Sequence, residues 1–173
     1  MIIPDYYYDS VFFIPYEELW EKNVRGLIFD IDNTLTAFDE KLPPAKIVAL
    51  LNKLERMGYK ICFVTNNTNT RLRNFNEHMK LPGIANAIKP LTRGIRRAMS
   101  LMGTTPQQTA IIGDQLLSDI WGGRNARITT ILVKPITERD FWFVRIKRKI
   151  ERVMLRKFFE EHAKMNSDEP PQT

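Results

Sequence analysis

The sequence has few cysteines and histidines and no long apolar run, and each shortage excludes a class of protein. The one cysteine, Cys62, cannot form an internal disulfide, and a lone thiol is typical of a reducing compartment. His78 and His162 lie far apart without other ligand types beside them, which argues against a histidine metal site. No apolar run approaches the roughly 18 residues that span a bilayer, and the first residues lack the pattern of a secretory signal. We therefore expect a cytoplasmic protein.

The composition is that of a globular domain. Of 173 residues, 43% are hydrophobic and 27% are charged, close to the globular averages of about 45–50% and 25%, so a disordered or low-complexity protein is excluded. A domain of about 150 residues buries roughly 68–70% of the surface of its unfolded chain, which is enough for a core without disulfides. We expect one domain over residues 1–164 and a polar, disordered tail over 165–173.

Apolar patterning alternates between strands and helices along the chain. Strands are predicted over residues 26–30, 60–65, 87–89, 109–113 and 128–133. Helices are predicted over residues 44–57, 70–79, 92–102 and 118–126. Tyr6–Tyr8 and Phe12–Phe13 are predicted to cover a sheet edge or a helix, with contact to lipid as the alternative. The alternation of strands and helices predicts an α/β fold with a mainly parallel sheet.

Polar residues follow the predicted strands where each one ends. Because ligands bind beyond the carboxyl ends of parallel strands, these residues are expected to meet at one edge of the sheet. The set consists of Asp30, Asp32, Thr65, Asn66, Lys89, Asp114 and Asp119. Asp30 and Asp32 are two positions apart, so an extended backbone directs both carboxylates to one face. The two charges repel unless a cation neutralises them, and Mg²⁺ prefers such oxygen ligands.

The same residue types suit phosphoryl transfer. A carboxylate is able to attack phosphorus and form an aspartyl-phosphate, while its neighbour acts as acid and then as base. Mg²⁺, Lys89 and Thr65 would share the charge of the transferred group. Intervals of 35, 24 and 25 residues separate Asp30, Thr65, Lys89 and Asp114, and each matches about one strand-helix unit.

With these motifs in order, residues 24–134 resemble the haloacid dehalogenase (HAD) superfamily of phosphotransferases. The D-x-D-x-T motif runs from Asp30 to Thr34, and the second motif ends its strand at Thr65. Lys89 matches the third motif, and Gly113-Asp114 followed by Asp119 matches the fourth. The resemblance implies a three-layer, Rossmann-like fold and a Mg²⁺-dependent phosphatase.

The resemblance also implies a role for each residue. Asp30 would be the nucleophile and a metal ligand. Asp32 would be the general acid and base and would bind the metal through its backbone carbonyl. The remaining roles are phosphate binding by Thr65, Asn66 and Lys89, metal ligation by Asp114, and support of the metal by Asp119.

The short intervals between motifs leave no room for a cap domain. Lys89-Pro90, the Gly113-Asp114-Gln115 loop and the paired Gly122-Gly123 resemble the capless YqeG-type branch, subfamily IIIA. That branch is similar to phosphatidylglycerophosphate phosphatases. A capless site is open and favours a bulky substrate, so a phosphorylated lipid headgroup is the expected substrate. The alternatives are a protein or nucleotide phosphatase, or a membrane-binding or RNA-binding protein that keeps the fold without catalysis.

Positive charge is concentrated near the end of the chain. Residues 139–157 contain eight basic and two acidic residues, which gives +6, the net charge of the whole chain. Apolar residues at helical spacing predict a basic amphipathic helix over 139–161. Such a helix either packs on the domain with its charged face in water or contacts an anionic membrane through residues 139–157. Nucleic-acid binding is supported by charge alone, and nothing in the sequence specifies an oligomeric state.

Overall fold

Six parallel strands form one sheet within residues 2–137, the part of the chain that the computed structural model describes. In chain order the strands are β1 (Tyr6–Tyr8), β2 (Gly26–Phe29), β3 (Lys60–Val64), β4 (Gly83–Ile84), β5 (Thr109–Gly113) and β6 (Thr129–Val133). Their order across the sheet is β1-β6-β5-β2-β3-β4. The sheet order therefore places β2, β3 and β5, which precede most of the predicted site residues, at the centre.

Helices connect the strands and cover both faces of the sheet. The α-helices are α1 (Tyr16–Glu21), α2 (Ala45–Arg56), α3 (Asn69–Asn76), α4 (Arg93–Met102) and α5 (Trp121–Ala126). Short 3₁₀ turns occupy Val11–Phe13 and Pro106–Gln108, and a π-helical turn occupies Leu116–Ile120. Thr68 caps α3 by accepting a hydrogen bond from the backbone of Arg71.

The sheet separates two apolar cores because successive side chains of a strand point to opposite faces. On one face, Leu27 and Phe29 of β2 pack in the same cluster as Leu51 of α2. On the other face, Ile28 belongs to a cluster that includes Ile95 of α4. The arrangement of helices, sheet and helices confirms the predicted three-layer α/β fold.

The predicted strand over residues 87–89 is wrong. The fourth strand is instead the two-residue β4, which pairs with the end of β3. The backbone N–H of Ala87 donates to the carbonyl of Thr65 at 3.0 Å, but Ile88 then takes the left-handed conformation, with φ of 55°. A left-handed residue turns the chain out of the sheet, so the lysine that follows it lies on a loop.

Two further differences concern the start of the chain and the fourth motif. Tyr6–Tyr8 form an edge strand parallel to β6, and α1 follows where no helix was predicted. Asp5 fixes this edge because its carboxylate accepts hydrogen bonds from the backbone N–H and the hydroxyl of Thr130, both at 2.8 Å. The helix predicted over 118–126 is a π-helical turn followed by α5, since Asp119 and Ile120 both donate to the carbonyl of Gln115.

The described chain ends beside the loop that follows β2. The backbone N–H of Ile136 donates to the carbonyl of Asn33 at 2.9 Å, and the Thr137 hydroxyl donates to the Asn33 side chain at 2.9 Å. The predicted helix over 139–161 and the tail over 165–173 lie outside the described residues. Among the helices of residues 2–137, none is long and apolar enough to cross a bilayer.

We predict that the thiol of Cys62 reacts only when the protein unfolds. Cys62 is fully buried in β3, and burial raises the pKa of its thiol to about 12. At pH values below 9.0, the pKa of a free thiol, the thiol is neutral in both the folded and the unfolded protein. As the pH rises above that value, the thiol ionises first in the unfolded chain, so ionisation favours the unfolded state. Labelling with a thiol reagent at about pH 8 is expected to modify one group per chain in denaturant and none in buffer. Rapid labelling of the native protein would contradict the burial of this strand.

Candidate active site

The first two aspartates lie on a tight loop at the carboxyl end of β2. The backbone N–H of Asp30 donates to the carbonyl of Ile112 at 3.0 Å, which extends the pairing with β5 one residue past the strand. The chain then folds back, because the backbone N–H groups of Thr34, Leu35 and Thr36 all donate to the carbonyl of Ile31. This loop holds Asp30 and Asp32 at the carboxyl end of β2, near the middle of the row of strands.

Lys89 lies at the centre of the site and bridges two carboxylates. Its ammonium donates to Asp30 Oδ1 at 2.7 Å and to the carbonyl of Val64 at 2.6 Å. It also forms an ion pair with Asp119 Oδ1 at 2.6 Å. The Lys89 side chain is only 1% exposed, so its charge is compensated by protein groups and not by water.

Burial and neighbouring charges change the ionisation of both partners. Burial raises the pKa of Asp30 to about 7, although the Lys89 ammonium opposes the rise, and the Asp119 carboxylate adds to it. For Lys89, burial alone would lower the pKa, but the carboxylates of Asp119 and Asp30 outweigh burial and raise it above its ordinary value. Lys89 therefore stays charged, while Asp30 lacks full compensation for its negative charge.

The Asn66 side chain fixes the backbone of Lys89. Its Oδ1 accepts a hydrogen bond from the Lys89 N–H at 2.7 Å, and its Nδ2 donates to the Lys89 carbonyl at 3.1 Å. The same Nδ2 donates to the Ser118 hydroxyl at 3.3 Å. Asn66 thus connects the loops that follow β3, β4 and β5, and its side-chain amide is committed to that role.

Thr65 lies directly after β3 and is almost fully buried. Its backbone N–H donates to the carbonyl of Ile84, which continues the pairing with β4. Its hydroxyl oxygen accepts a hydrogen bond from the backbone N–H of Asn67 at 3.0 Å. The hydroxyl is therefore held at the same sheet edge as Lys89.

Three buried carboxylates come together across the site. Asp30, Asp114 and Asp119 each offer one oxygen, and these oxygens lie within 4.8 Å of one another. Asp114 Oδ1 accepts a hydrogen bond from the Thr34 hydroxyl at 3.3 Å. Asp119 Oδ2 accepts one from the backbone N–H of Gln115 at 3.1 Å. The site thus combines three buried carboxylates with the Lys89 ammonium, which pairs with two of them.

Asp32 is held apart from this cluster by two residues that the sequence analysis did not single out. Arg71 Nε donates to Asp32 Oδ1 at 2.8 Å, and Asn67 Nδ2 donates to Asp32 Oδ2 at 3.0 Å. Arg71 Nη1 also donates to the carbonyl of Lys41 at 3.0 Å. The Arg71 side chain is 11% exposed, so this ion pair is largely shielded from water. Both oxygens of the Asp32 carboxylate thus have donors that fix its orientation.

All seven site residues predicted from the sequence lie at one edge of the sheet. The carboxylates that meet closely are those of Asp30, Asp114 and Asp119, whereas the Asp32 carboxylate contacts Asn67 and Arg71. Arg71 lies in the first turn of α3, so the first turn of the helix after a strand is a second place in the sequence where site residues occur. Its ion pair with Asp32 spans 39 positions and left no local signal.

Comparison with known proteins agrees with this geometry. A family model described as haloacid dehalogenase-like hydrolase matches residues 37–133, more than half of the chain. The chain is also 35% identical over 153 residues to "Probable phosphatase YqeG" of Bacillus subtilis, a match that covers 88% of this chain and 89% of that protein. The chain belongs to the haloacid dehalogenase-like hydrolase family. The segment matched by the family model contains Thr65, Lys89 and Asp114 and begins after Asp30 and Asp32.

More distant relatives have the same enzyme class or the same fold. The "Glyceraldehyde 3-phosphate phosphatase" of Pyrococcus abyssi is 24% identical over 130 residues, which cover 70% of this chain and 52% of that protein. The Moraxella catarrhalis 3-deoxy-D-manno-octulosonate 8-phosphate phosphatase, solved with magnesium, phosphate and KDO, shares the fold. Its TM-score is 0.51 at 14% identity, over 69% of this chain and 83% of that one. Within the HAD family, the chain is of the YqeG type and is a phosphatase.

We predict that Gly113→Ala damages the site as well as the fold. A Cβ at Gly113 would overlap the Asp119 carboxylate, so Asp119 would have to move away from Lys89. We expect a loss of about 1–3 kcal/mol in the free energy of unfolding, as for other overpacked sites, and a lower phosphatase rate. Urea unfolding and a rate assay measure the two effects.

Gly103→Ala is the matched control. A Cβ at Gly103 would meet nothing within 4 Å, but its φ of 65° makes alanine strained there, at a cost of about 1–2 kcal/mol. It should therefore lose stability and keep its rate. Equal rates for the two variants would mean that the packing of Asp119 against Gly113 does not matter for catalysis.

Proposed function

We propose that this chain is a Mg²⁺-dependent phosphomonoester phosphatase that works through an aspartyl-phosphate on Asp30. The observation that carries the proposal is the buried cluster in which Lys89 bridges Asp30 and Asp119 beside Asp114. Three carboxylates and one ammonium at the centre of a sheet edge suit the binding of a metal and a phosphate together. The HAD family membership supports the same chemistry.

The donor set fits a divalent cation. Three carboxylate oxygens lie within 4.8 Å of one another, and the pKa of Asp30 is raised mainly by burial and then by the nearby Asp119 carboxylate. Oxygen ligands of this kind are those that Mg²⁺ prefers. We assign its ligation to Asp30, Asp114 and the backbone carbonyl of Asp32, with Asp119 in support through its ion pair with Lys89. When bound, the ion would favour the ionised form of Asp30 and offset charge on the phosphate oxygens.

The first chemical step is attack by a carboxylate oxygen of Asp30 on the phosphorus of the substrate. The bond between phosphorus and the ester oxygen breaks, and Asp32 gives a proton to the departing alcohol. In the second step, Asp32 takes a proton from a water molecule that attacks the acyl phosphate. Inorganic phosphate leaves, and Asp30 returns to its initial state. The hydrogen bonds from Arg71 and Asn67 would hold Asp32 in place for both transfers.

Thr65, Asn66 and Lys89 are assigned to the transferred phosphoryl group. The Thr65 hydroxyl and the Lys89 ammonium both lie at the carboxyl ends of the parallel strands. Lys89 would stabilise the negative charge that develops on the oxygens of the phosphoryl group. The side-chain amide of Asn66 is already bonded to Lys89 and Ser118. We therefore assign its phosphate contact to the backbone N–H.

The expected substrate is a phosphate on a lipid headgroup, such as that of phosphatidylglycerophosphate. Between Asp32 and Thr65 the described chain contains only a loop, α2 and β3, and between Thr65 and Lys89 only α3, β4 and their loops. These segments add no cap over the carboxyl edge. A site of this kind admits a phosphate that is attached to a large body.

We predict Mg²⁺-dependent hydrolysis of a generic aryl phosphate. Asp30→Asn removes the proposed nucleophile and is expected to lower kcat by about three orders of magnitude. Asp39→Asn, an exposed position on the same loop, is the matched control and should keep the rate. Undiminished activity of Asp30→Asn would refute the assigned nucleophile.

The metal and the substrate class have separate readouts. Mg²⁺ at about 100 times its Kd should raise the free energy of unfolding by about 2.7 kcal/mol, and Asp114→Asn should lose most of that gain.

The substrate class is tested with a panel that contains phosphatidylglycerophosphate, a nucleotide, a sugar phosphate and a phosphopeptide. Preference for a soluble member would overturn the lipid assignment and leave the phosphatase assignment intact.

We predict that Arg71→Met affects substrates according to their leaving group. Without the Arg71 ion pair, Asp32 loses one of the two donors that orient it, so proton transfer to the leaving oxygen should slow. For alkyl phosphates, which need that proton, we expect kcat to fall by about tenfold to a hundredfold. For an aryl phosphate with an acidic leaving group, the fall should be much smaller.

Arg73→Met on the same helix is the control, because Arg73 is exposed. The ratio of the alkyl to the aryl rates should change in Arg71→Met and stay constant in Arg73→Met. An equal loss on both substrates would show that Arg71 acts on the fold and not on Asp32.

A further inference from the structure

Large apolar side chains are exposed around the mouth of the site. Six of them follow the carboxyl ends of β2, β4, β5 and β6, and each is between 42% and 66% exposed. We call this set the apolar rim, and its members are Phe38, Leu42, Ile88, Leu91, Trp121 and Ile136. Exposed apolar side chains that are concentrated on one face of a protein favour a binding surface there.

Hydrogen bonds place two rim residues on the Asp32 side of the site. Leu42 follows Lys41, whose carbonyl accepts a hydrogen bond from Arg71, the ion-pair partner of Asp32. The backbone N–H of Ile136 donates to the carbonyl of Asn33, the residue next to Asp32. Leu42 is therefore next in sequence to a residue that contacts Arg71, the partner of Asp32. The backbone of Ile136 contacts the residue next to Asp32.

Three rim residues lie on the Lys89 side. Ile88 immediately precedes Lys89, and its φ of 55° is rare for a β-branched residue. The backbone N–H of Leu91 donates to the carbonyl of Ile88 at 2.9 Å, which closes a turn with both side chains in solvent. Trp121 precedes Gly122, where a Cβ would lie 3.4 Å from Pro90 Cα. The loop that carries Lys89 thus exposes Ile88 and Leu91, while the Lys89 side chain itself is buried.

At the amino ends of the strands, opposite the site, the described chain exposes fewer large apolar side chains. Of the other large exposed apolar residues in the described chain, Phe12 and Phe13 follow β1 and so belong to the same carboxyl edge as the rim. Leu101, near the end of α4, lies towards the opposite edge. The apolar exposure is therefore concentrated on the face that carries the site.

The chain leaves the described structure at this same face with a strong positive charge. Thr137 is hydrogen-bonded to Asn33 beside the rim, and 36 residues follow it. Residues 139–157 carry a net charge of +6. A second copy of this chain would bring the same charge against itself, whereas an anionic lipid surface offers both an apolar layer and opposite charge.

We propose that the apolar rim inserts into the surface of an anionic lipid bilayer, to which the net charge of +6 in the sequence of residues 139–157 is complementary. The site then faces the membrane, where a phosphorylated headgroup reaches Asp30 and Lys89 without leaving the bilayer. The bilayer also covers the site in place of a cap. The docking is independent of catalysis, and only its purpose rests on the proposed function.

The experiment measures sedimentation of the full chain with vesicles. One set contains phosphatidylcholine alone, and the other contains about 30 mol% phosphatidylglycerol. Leu42→Ser with Ile136→Ser removes two rim contacts, and Leu101→Ser is the matched control because Leu101 and Leu42 are both 54% exposed. We expect binding to the anionic vesicles, weakened on the order of tenfold by the double variant and unchanged by Leu101→Ser. Circular dichroism and thermal unfolding verify that each variant is folded.

Three results would overturn the proposal. Equal binding of the double variant and Leu101→Ser would reject the rim, and equal binding to neutral and anionic vesicles would reject the role of charge. A chain that dimerises or binds a protein through the rim and ignores both vesicles would reject the membrane as the occupant. Asp30→Asn should still bind vesicles, so loss of catalysis and loss of docking are distinguished.

Discussion

The site depends on a lysine ammonium that is removed from water. Lys89 is stable in its buried position because Asp30, Asp119 and the carbonyl of Val64 surround its charge at 2.6–2.7 Å. Removal of one of these partners would leave the buried charge with less compensation and would lower the stability of the fold. The ammonium in turn keeps two carboxylates close together that would otherwise repel. A single interaction thus maintains both the folded loops and the arrangement that we propose for phosphoryl transfer.

The parallel sheet explains why these groups meet although they are distant in sequence. Asp30 follows β2, Thr65 follows β3 and Asp114 follows β5, and these three strands are neighbours in the sheet. Their register is fixed by apolar side chains that fill both cores, so the positions of the polar residues follow from the packing of residues such as Phe29 and Ile28. The helices after each strand provide the secondary contacts, of which the ion pair between Arg71 and Asp32 is the clearest. The chemistry lies on loops, but the rigid central strands set the distances between them.

Much of this arrangement follows from local patterns in the sequence. The buried strands β2, β3 and β5 are apolar runs, and acids after two of them predict the site because the carboxyl ends of parallel strands coincide. The fourth strand was misplaced because Ala87 and Ile88 resemble a short strand, whereas the left-handed φ of Ile88 is set by the loop around it. Contacts that depend on the folded state, such as the hydrogen bonds of Asn66 to the Lys89 backbone, leave no periodic signal. The edge strand β1 was not predicted as a strand, because three tyrosines in a row show no alternation of apolar and polar residues.

The two outermost strands of the sheet affect how the chain behaves at high concentration. An open sheet edge presents unpaired backbone groups to other molecules, and long flat edges promote aggregation. Here the outermost strands are also the shortest, with three residues in β1 and two in β4. Strand addition from a neighbouring molecule would therefore gain only a few hydrogen bonds at either edge. The fold thus keeps its long strands in the interior and resists ordered self-association.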